Sequence, residues 1–197
     1  AFRAVPAAFP ASAIIFLPAL IAVVIIFFMR PRRFYFVRHG ETLLNAEHIK
    51  QGAEGALSPK GREQADTVGR ALEQLPVGRI ISSAYERAQE TAAIISTYLK
   101  VPVIYSPLFA ERRNPSSVIG KSTSDPEVIR IIDQMDLGYH EDNYRSSDEE
   151  NFTDMKKRAR KCLALLARQG ARVTCVVTHH AFLKMLIAYM LYREKLH

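Results

Sequence analysis

After residue 33 the chain alternates short apolar, β-branched runs with longer segments in which apolar residues recur at helical spacing. The short runs are typical of strands and the longer segments of amphipathic helices. The pattern predicts an α/β domain, a three-layer sandwich in which a largely parallel central sheet is flanked by helices. The predicted strands cover residues 33–37, 78–82, 101–106 and 172–178.

Capping residues mark the ends of the predicted helices. Ser58 followed by Pro59 predicts an N-cap and a first helical residue. Ser83, with Glu86 three residues later, has the spacing of a capping box and predicts the start of a second helix. The predicted helices cover about residues 59–74, 84–99, 152–168 and 180–192.

The N-terminal segment differs in composition from the rest of the chain. No residue from 4 to 29 is charged, and residues 12–29 approach the roughly 20 apolar residues that a membrane-spanning helix needs. Arginines follow directly, so the positive-inside rule places everything after Met29 in the cytoplasm. The sequence thus predicts a single transmembrane helix within residues 1–32 that tethers a cytoplasmic domain over 33–197.

Two other interpretations of this segment stay open. A cleaved signal peptide fits less well, because no small-residue cleavage site lies between Met29 and the first strand. Alternatively, Met29 is the native start of the protein. The domain would then be soluble and cytoplasmic, without a tether.

Composition favours one globular domain, because 48% of the 197 residues are hydrophobic and 24% are charged. The formal net charge of +7 does not indicate nucleic-acid binding, because basic residues are scattered among acidic ones without a run of five. A phosphorylated substrate explains the excess as well. Cys162 and Cys175 lie in apolar segments without zinc-ligand spacing, so both are predicted to be reduced core residues.

Charged side chains follow the predicted strands at the points where the strands end. Arg38 and His39 follow the first strand, and His179 follows the last. Arg87 lies in the first turn of the helix after the second strand, and Glu111 lies a few residues past the third. Because ligands of such sheets bind beyond the carboxyl ends of the strands, these side chains are expected to converge at one edge. A cation at a helix N-terminus opposes the helix dipole, so Arg87 also indicates a bound anion.

Four motifs carry a resemblance to a known family. They are VRHGET with Asn45 following, LSPKGREQA at 57–65, SSAYERAQETA at 82–92 and VVTHHAFLK at 176–184. In this order and spacing they resemble the histidine phosphatase superfamily, also called the phosphoglycerate mutase-like family. The resemblance covers residues 33 to about 193 and implies the phosphoglycerate mutase-like fold and a phosphomonoesterase activity.

The resemblance also implies a role for each residue at the strand ends. His39 is expected to be the catalytic nucleophile that forms a phosphohistidine, and it must be neutral to attack. Arg38, Arg87 and His179 are expected to bind the phosphoryl oxygens, with His179 also counted as catalytic. Together with a protonated His179, the two arginines are expected to lower the pKa of His39.

Two more residues complete the implied site. Asn45 is expected to donate a hydrogen bond to the phosphoryl group. Glu111 is expected to protonate the leaving oxygen as a general acid. The positive side chains supply the charge that a metal would bring, so neither a metal nor a cofactor is expected.

The sequence departs from the family pattern at two points. His180 stands where the family usually has a glycine after the second histidine, so His179 is assigned by its register with the motif. The family usually adds at least one strand after the last helix, whereas this chain ends at His197. The domain is therefore predicted to be truncated at its C-terminus.

Residues 112–151 lie where the family varies its substrate cover, and their composition predicts loops with one short helix near 126–135. Arg113 and Lys121 are either ligands for a second anionic group of the substrate or solvated loop charges. The longer insertions of the mutases are not present, which favours hydrolysis of a phosphorylated small molecule or phosphoprotein. Two alternatives stay open: phosphoryl transfer of the mutase type, and a non-catalytic module that binds a phosphorylated ligand.

Overall fold

The computed structural model describes residues 14–15, 23–28, 32–138, 141 and 143–192. Its strands are β1 (Ile14–Ile15), β2 (Val23–Phe28), β3 (Arg32–Arg38), β4 (Arg79–Ser83), β5 (Val103–Ser106) and β6 (Val173–Thr178). Its helices are α1 (Leu43–Ala46), α2 (Pro59–Glu73), α3 (Glu86–Leu99), α4 (Pro126–Leu137), α5 (Phe152–Ala167) and α6 (His180–Tyr192). Short 3₁₀ turns lie at Pro107–Phe109 and Ser116–Val118.

The strands form one sheet in the order β1-β2-β3-β6-β4-β5. The four strands from β3 to β5 in this order are parallel to one another. Arg38 at the end of β3 is opposite Thr178 at the end of β6, so the residues that follow these two strands are neighbours. The predicted α/β fold with a largely parallel sheet is confirmed.

Alternate strand residues pack into two apolar cores, one on each face of the sheet. On one face, Phe34 and Phe36 of β3 and Val176 of β6 pack with α5 and α6. On the other face, Tyr35 and Val37 of β3 pack with α2 and α3. Because both faces are covered, β6 is buried along its whole length, which explains its continuous apolar sequence.

The two cysteines are buried free thiols, as predicted. Cys162 lies in α5 and Cys175 in β6. Burial raises the pKa of both thiols to about 12, so both are protonated at neutral pH.

The apolar N-terminal segment differs from its prediction. Of the expected transmembrane helix over residues 12–29, the structure describes 14–15 and 23–28, and both pieces are strands. β2 pairs antiparallel with β3, placing Ile26 opposite Phe34. The β-branched residues of VVIIFF favour a pleated strand, which explains why this part of the helix prediction is wrong. The rest of the segment lies outside the described residues.

Across the described ranges, no helix is both long and apolar enough to cross a membrane. The tether over 12–29 therefore has no support from the described residues. The domain boundary at residue 33, the cytoplasmic location and the C-terminal truncation stay predictions.

Local hydrogen bonds explain which helix starts were predicted correctly. Ser58 is the N-cap of α2, and its Oγ accepts the Gly61 N–H at 3.0 Å. The predicted cap at Ser83 is wrong, because Tyr85 is the N-cap of α3 and its side chain makes no capping hydrogen bond. Glu86 instead accepts the Gly55 N–H at 2.8 Å, which holds a loop against α3. The short helix predicted near 126–135 is α4.

Two glycines let the turn after β3 contact the first turn of α2. A Cβ atom on Gly40 would lie 2.3 Å from the Gly61 carbonyl oxygen. A Cβ atom on Gly61 would lie 1.9 Å from the Glu41 carbonyl oxygen. Both clashes are with backbone atoms, which cannot rotate away, so the close approach requires glycine at both positions.

We expect Gly61→Ala to lower the free energy of unfolding by about 1–3 kcal/mol, since the added methyl group must push two backbone segments apart. Urea unfolding followed by circular dichroism measures the change. Gly170→Ala is the matched control, because nothing lies within 4 Å of a Cβ atom there. Equal stability of the two variants would contradict the proposed close contact.

Candidate active site

His39 lies directly after β3, at the carboxyl edge of the parallel strands. It is 7% exposed, and its backbone N–H donates to the Thr178 carbonyl oxygen at 3.0 Å. The next residue, Gly40, donates its N–H to Thr91 Oγ1 of α3 at 3.1 Å. The turn that carries His39 is therefore attached by hydrogen bonds to the end of β6 and to α3.

Hydrogen bonds assign the two ring nitrogens of His39. Nδ1 lies 2.7 Å from the Gly40 carbonyl oxygen, which can only accept, so Nδ1 carries the proton. Nε2 therefore carries a lone pair, which accepts a hydrogen bond from Arg87 Nε at 3.3 Å. Arg87 is 2% exposed, and its Nη1 donates to the Gly52 carbonyl oxygen at 2.8 Å.

The environment of His39 disfavours its charged form. Burial, and then the positive charge of Arg87, lower the pKa of His39 to about 3. The Gly40 hydrogen bond opposes this shift, and the charge of Arg38 adds to it. The imidazole is therefore neutral at neutral pH. The positive side chains alone predict the direction of this pKa shift, but burial of the His39 ring lowers the pKa more than their charges do.

His179 follows β6 and faces His39, with 4.9 Å between the ring centroids. It is 0% exposed, and its Nε2 lies 2.8 Å from Ser83 Oγ. Its Nδ1 is also buried and has no hydrogen-bond partner in the described part of the chain. Burial, followed by the charges of its neighbours, holds the pKa of His179 well below its usual range. His179 is thus neutral, which corrects the expectation of a protonated second histidine.

Glu111 lies at the N-terminus of α6, on the other side of the site from α3. Its Oε1 accepts the backbone N–H groups of Phe182 and Arg112, both at 2.9 Å. Among the described residues, its Oε2 accepts only the Ala181 N–H, at 3.2 Å. The side chain therefore binds N–H groups of the first helical turn, which have no acceptor within the helix.

Arg38 and Asn45 make no hydrogen bond to His39. The Arg38 side chain is exposed, and no acceptor binds its guanidinium within the described ranges. Asn45 lies in α1, where its backbone N–H donates to Thr42 Oγ1 at 3.0 Å. Its Oδ1 is buried, and nothing in the described residues donates to it.

The two candidate ligands for a second anionic group already bind protein atoms. Arg113 Nε donates to the Asp148 carbonyl oxygen at 2.8 Å. Lys121 forms an ion pair with Glu127 at 3.0 Å. These contacts favour the other interpretation, in which both residues are loop charges and not ligands of the substrate.

The sequence carries no signal for the role of Ser83 or for the contacts of residues 52–57, which we call the covering loop. Ser83 was assigned to a helix cap, but it binds a histidine 96 positions away, for which no local pattern exists. Residues 52–57 are held on α3 by side chains of that helix. The Glu86 carboxylate accepts the Gly55 N–H, and the Glu90 carboxylate accepts the Leu57 N–H, both at 2.8 Å.

No group of three or more His, Cys, Asp or Glu residues within the described ranges could hold a metal ion. The positive charge at the site comes from the two arginines. The arrangement offers a neutral imidazole nitrogen, a buried guanidinium and a carboxylate, which together suit chemistry on an anionic group.

Comparisons with known proteins agree with this geometry. Over 166 residues the chain is 30% identical to a protein of Erwinia tasmaniensis named "Probable phosphoglycerate mutase GpmB", covering 80% of this chain and 74% of that protein. The solved structure of Bacillus stearothermophilus YhfR is 29% identical with a TM-score of 0.67, covering 80% of this chain and 79% of that one. A mycobacterial glucosyl-3-phosphoglycerate phosphatase in complex with VO3 shares the fold, with 24% identity, a TM-score of 0.67 and coverage of 81% and 80%.

A family model also matches most of the chain. The family model of the histidine phosphatase superfamily (branch 1) matches residues 34–196, which include the four motifs and every described site residue. The matched range contains the parallel strands and both helical layers. The chain therefore belongs to the histidine phosphatase superfamily.

Proposed function

We propose that the protein is a phosphatase that hydrolyses a phosphomonoester through a phosphohistidine on His39. The observation that carries the proposal is the buried pair of His39 and Arg87. His39 is neutral with an unprotonated Nε2, and the only group that donates to this lone pair among the described residues is the buried guanidinium that would bind the phosphoryl oxygens. A phosphoryl group next to Nε2 would meet a nucleophile and a cation together.

In the first step the Nε2 lone pair attacks phosphorus, a P–N bond forms and the P–O bond to the leaving group breaks. In the second step water attacks phosphorus, the P–N bond breaks and inorganic phosphate leaves. The Nδ1–H bond to the Gly40 carbonyl holds the ring in the required tautomer throughout. Arg87 stabilises the charge of the transferring group, because its planar fork can donate to two oxygens at once.

Other polar groups near His39 complete the proposed anion site. Arg38 and Asn45 are close in sequence to His39, and Asn45 can present its amide nitrogen to a phosphoryl oxygen. The charge of Arg38 contributes to the low pKa values of both His39 and His179, which supports its nearness to them.

His179 binds the anion through Nδ1 in this proposal. Ser83 Oγ already accepts the Tyr85 N–H at 3.2 Å, so its hydroxyl hydrogen is available to His179 Nε2. Neutral His179 then carries its proton on Nδ1, the buried atom that has no partner in the described residues. A phosphoryl oxygen would satisfy this donor, whose burial without a partner is costly.

Glu111 acts as the general acid for the leaving oxygen. Its Oε1 already accepts two N–H groups, whereas Oε2 accepts one N–H from the residues that the structure describes and has a lone pair left to carry a proton. The protonated carboxyl gives this proton to the leaving oxygen in the first step. The resulting carboxylate takes a proton from the attacking water in the second step.

A second candidate activity is phosphoryl transfer of the mutase type, which the name of the Erwinia relative favours. Both activities share the phosphohistidine and differ in the acceptor. Transfer of ³²P from a bisphosphorylated donor to a hydroxyl of a second molecule would identify a mutase. Release of the label only as inorganic phosphate would identify a phosphatase.

We expect the chain to release phosphate from an aryl phosphate in the presence of EDTA, and His39→Ala to lower this rate by about 10⁴-fold or more. The parent should also trap acid-labile phosphate after rapid quenching. His48→Ala is the control, because this exposed histidine should leave the rate unchanged. A folded parent that binds inorganic phosphate without turnover would instead support the non-catalytic binding module.

We expect the free energy of unfolding to fall as the pH falls from about 6.5 towards 3. His39 takes up a proton near pH 6.5 when unfolded but only near pH 3 when folded, so the unfolded chain binds more protons in this window. One such group contributes about 1.4 kcal/mol per pH unit. Urea unfolding at several pH values gives the slope of the free energy of unfolding against pH. This slope should be smaller by that amount in His39→Gln and should equal that of the parent in His48→Asn.

We expect Ser83→Ala to weaken the binding of inorganic phosphate about 5-fold, because His179 Nε2 loses its donor and Nδ1 no longer keeps the proton. Imidazole ¹⁵N shifts should show the proton moving from Nδ1 towards Nε2. Ser96→Ala is the matched control, since Ser96 Oγ donates to the Val101 carbonyl at the far end of α3. A His179 tautomer that is the same in both variants would refute the role of Ser83.

A further inference from the structure

The segment that carries Glu111 has an unusual hydrogen-bond arrangement. Residues 107–111 leave the sheet after β5, so the carbonyl groups of this segment lack partners from a neighbouring strand. Side chains supply the missing donors. Thr178 Oγ1 donates to the Phe109 carbonyl at 2.8 Å, and Cys162 Sγ donates to the Leu108 carbonyl at 3.1 Å.

Arg158 of α5 makes the largest contribution to this arrangement. Its Nη1 donates to the carbonyl oxygens of Leu108 at 3.0 Å and Ala110 at 2.6 Å. Its Nη2 lies 3.4 Å from the carbonyl oxygen of Glu111 itself. One guanidinium group therefore binds the backbone along the approach to the proposed acid.

Arg158 is itself held in place from two sides. Glu150 binds it with both carboxylate oxygens, Oε1 at 2.6 Å from Nε and Oε2 at 2.5 Å from Nη2. Both side chains of this pair are only 14% exposed, so solvent screens the contact weakly. The guanidinium carbon also lies 3.8 Å from the centroid of the Phe182 ring.

Phe182 links this cluster to the Glu111 carboxylate. Its backbone N–H donates to Glu111 Oε1 at 2.9 Å, and its ring stacks on Arg158. Arg158 thus contacts Glu111 through the backbone and also contacts the residue that binds its carboxylate. The position of the proposed acid depends on one partly buried ion pair outside the proposed phosphate site.

We propose that Arg158, fixed by Glu150, is a positioning residue that sets the place of Glu111 for proton transfer to the leaving group. The inference rests on the proposed phosphatase function. Displacing a catalytic group by about 1 Å can cost on the order of 100-fold in rate. Lysine at this position would keep the charge but could not reproduce the planar fork that binds Glu150 and the carbonyl oxygens.

The test compares two esters that differ in their need for an acid. A dinitrophenyl phosphate has a leaving group that departs without a proton, whereas a simple alkyl phosphate requires one. We expect Arg158→Lys to lower kcat/KM for the alkyl ester by about 10–100-fold and for the dinitrophenyl ester by less than about 3-fold. The ratio of the two rates comes from one sample and does not depend on the fraction of folded protein.

Glu111→Gln and the double variant extend the test. Glu111→Gln alone should lower the alkyl ester rate by about 10²–10⁴-fold, and adding Arg158→Lys should lower it little further, because both act through the same proton. Arg145→Lys is the matched control. Arg145 also pairs with an acid of α5, Asp154 at 2.5 Å, but has no contact with residues 107–111.

Hydrogen exchange gives a readout that does not require turnover. The Phe182 N–H lies in the first turn of α6 and depends on Glu111 for its acceptor. We expect its exchange to accelerate in Arg158→Lys as it does in Glu111→Gln, and to stay unchanged in Arg145→Lys. Unchanged exchange at Phe182, or equal loss of activity on both esters, would overturn the proposal for Arg158. Failure of the proposed phosphatase function would give a different result, because the parent protein itself would then form no phosphohistidine.

Discussion

The site depends on the burial of a cation that has no carboxylate in contact with it. Among the described residues, Arg87 donates only to His39 and to carbonyl oxygens of the covering loop. Burying a charge without an opposite charge costs several kcal/mol, and Glu111 opposes this cost only from a distance. An anion bound beside Arg87 would offset that cost. Burial is the main cause of the low pKa of His39, and the Arg87 charge adds to it, so the same guanidinium favours both ligand binding and the neutral form of the proposed nucleophile.

The two helical layers contribute different parts of the site. The layer of α2 and α3 supplies Arg87, the acceptor for Gly40 and the side chains that hold the covering loop. The layer of α5 and α6 supplies the donors that hold Glu111. β3 and β6 run between the layers and end at His39 and His179. A substrate at the carboxyl edge would therefore lie between a cationic side and an acid side, as transfer of a phosphoryl group from His39 to water requires.

The elements that the sequence predicted correctly are those whose signals are local. The continuous apolar runs of the parallel strands and the Ser58 cap follow from near neighbours along the chain, so periodicity and capping rules were sufficient. The motifs likewise placed His39, Arg87 and His179 at one edge of the sheet. The errors arose where distant contacts override local preference. Ser83 binds His179 instead of capping α3, and the described part of 12–29 pairs with β3 although its apolar length suits a membrane helix.

Distance along the chain also explains why Arg158 could not be found from the sequence. It stands among four other basic residues of α5, and nothing in the sequence pattern distinguishes it from them. Only the fold shows that its carbonyl partners lie 47–50 positions earlier, whereas Glu150 lies just before the helix. A positioning residue of this kind can be exchanged only together with its partners, because the guanidinium, the carbonyl oxygens and the Glu150 carboxylate must all fit one another. The residues of the proposed phosphate site can therefore be assigned from motifs, whereas the residues proposed to orient the acid can be identified only from their contacts.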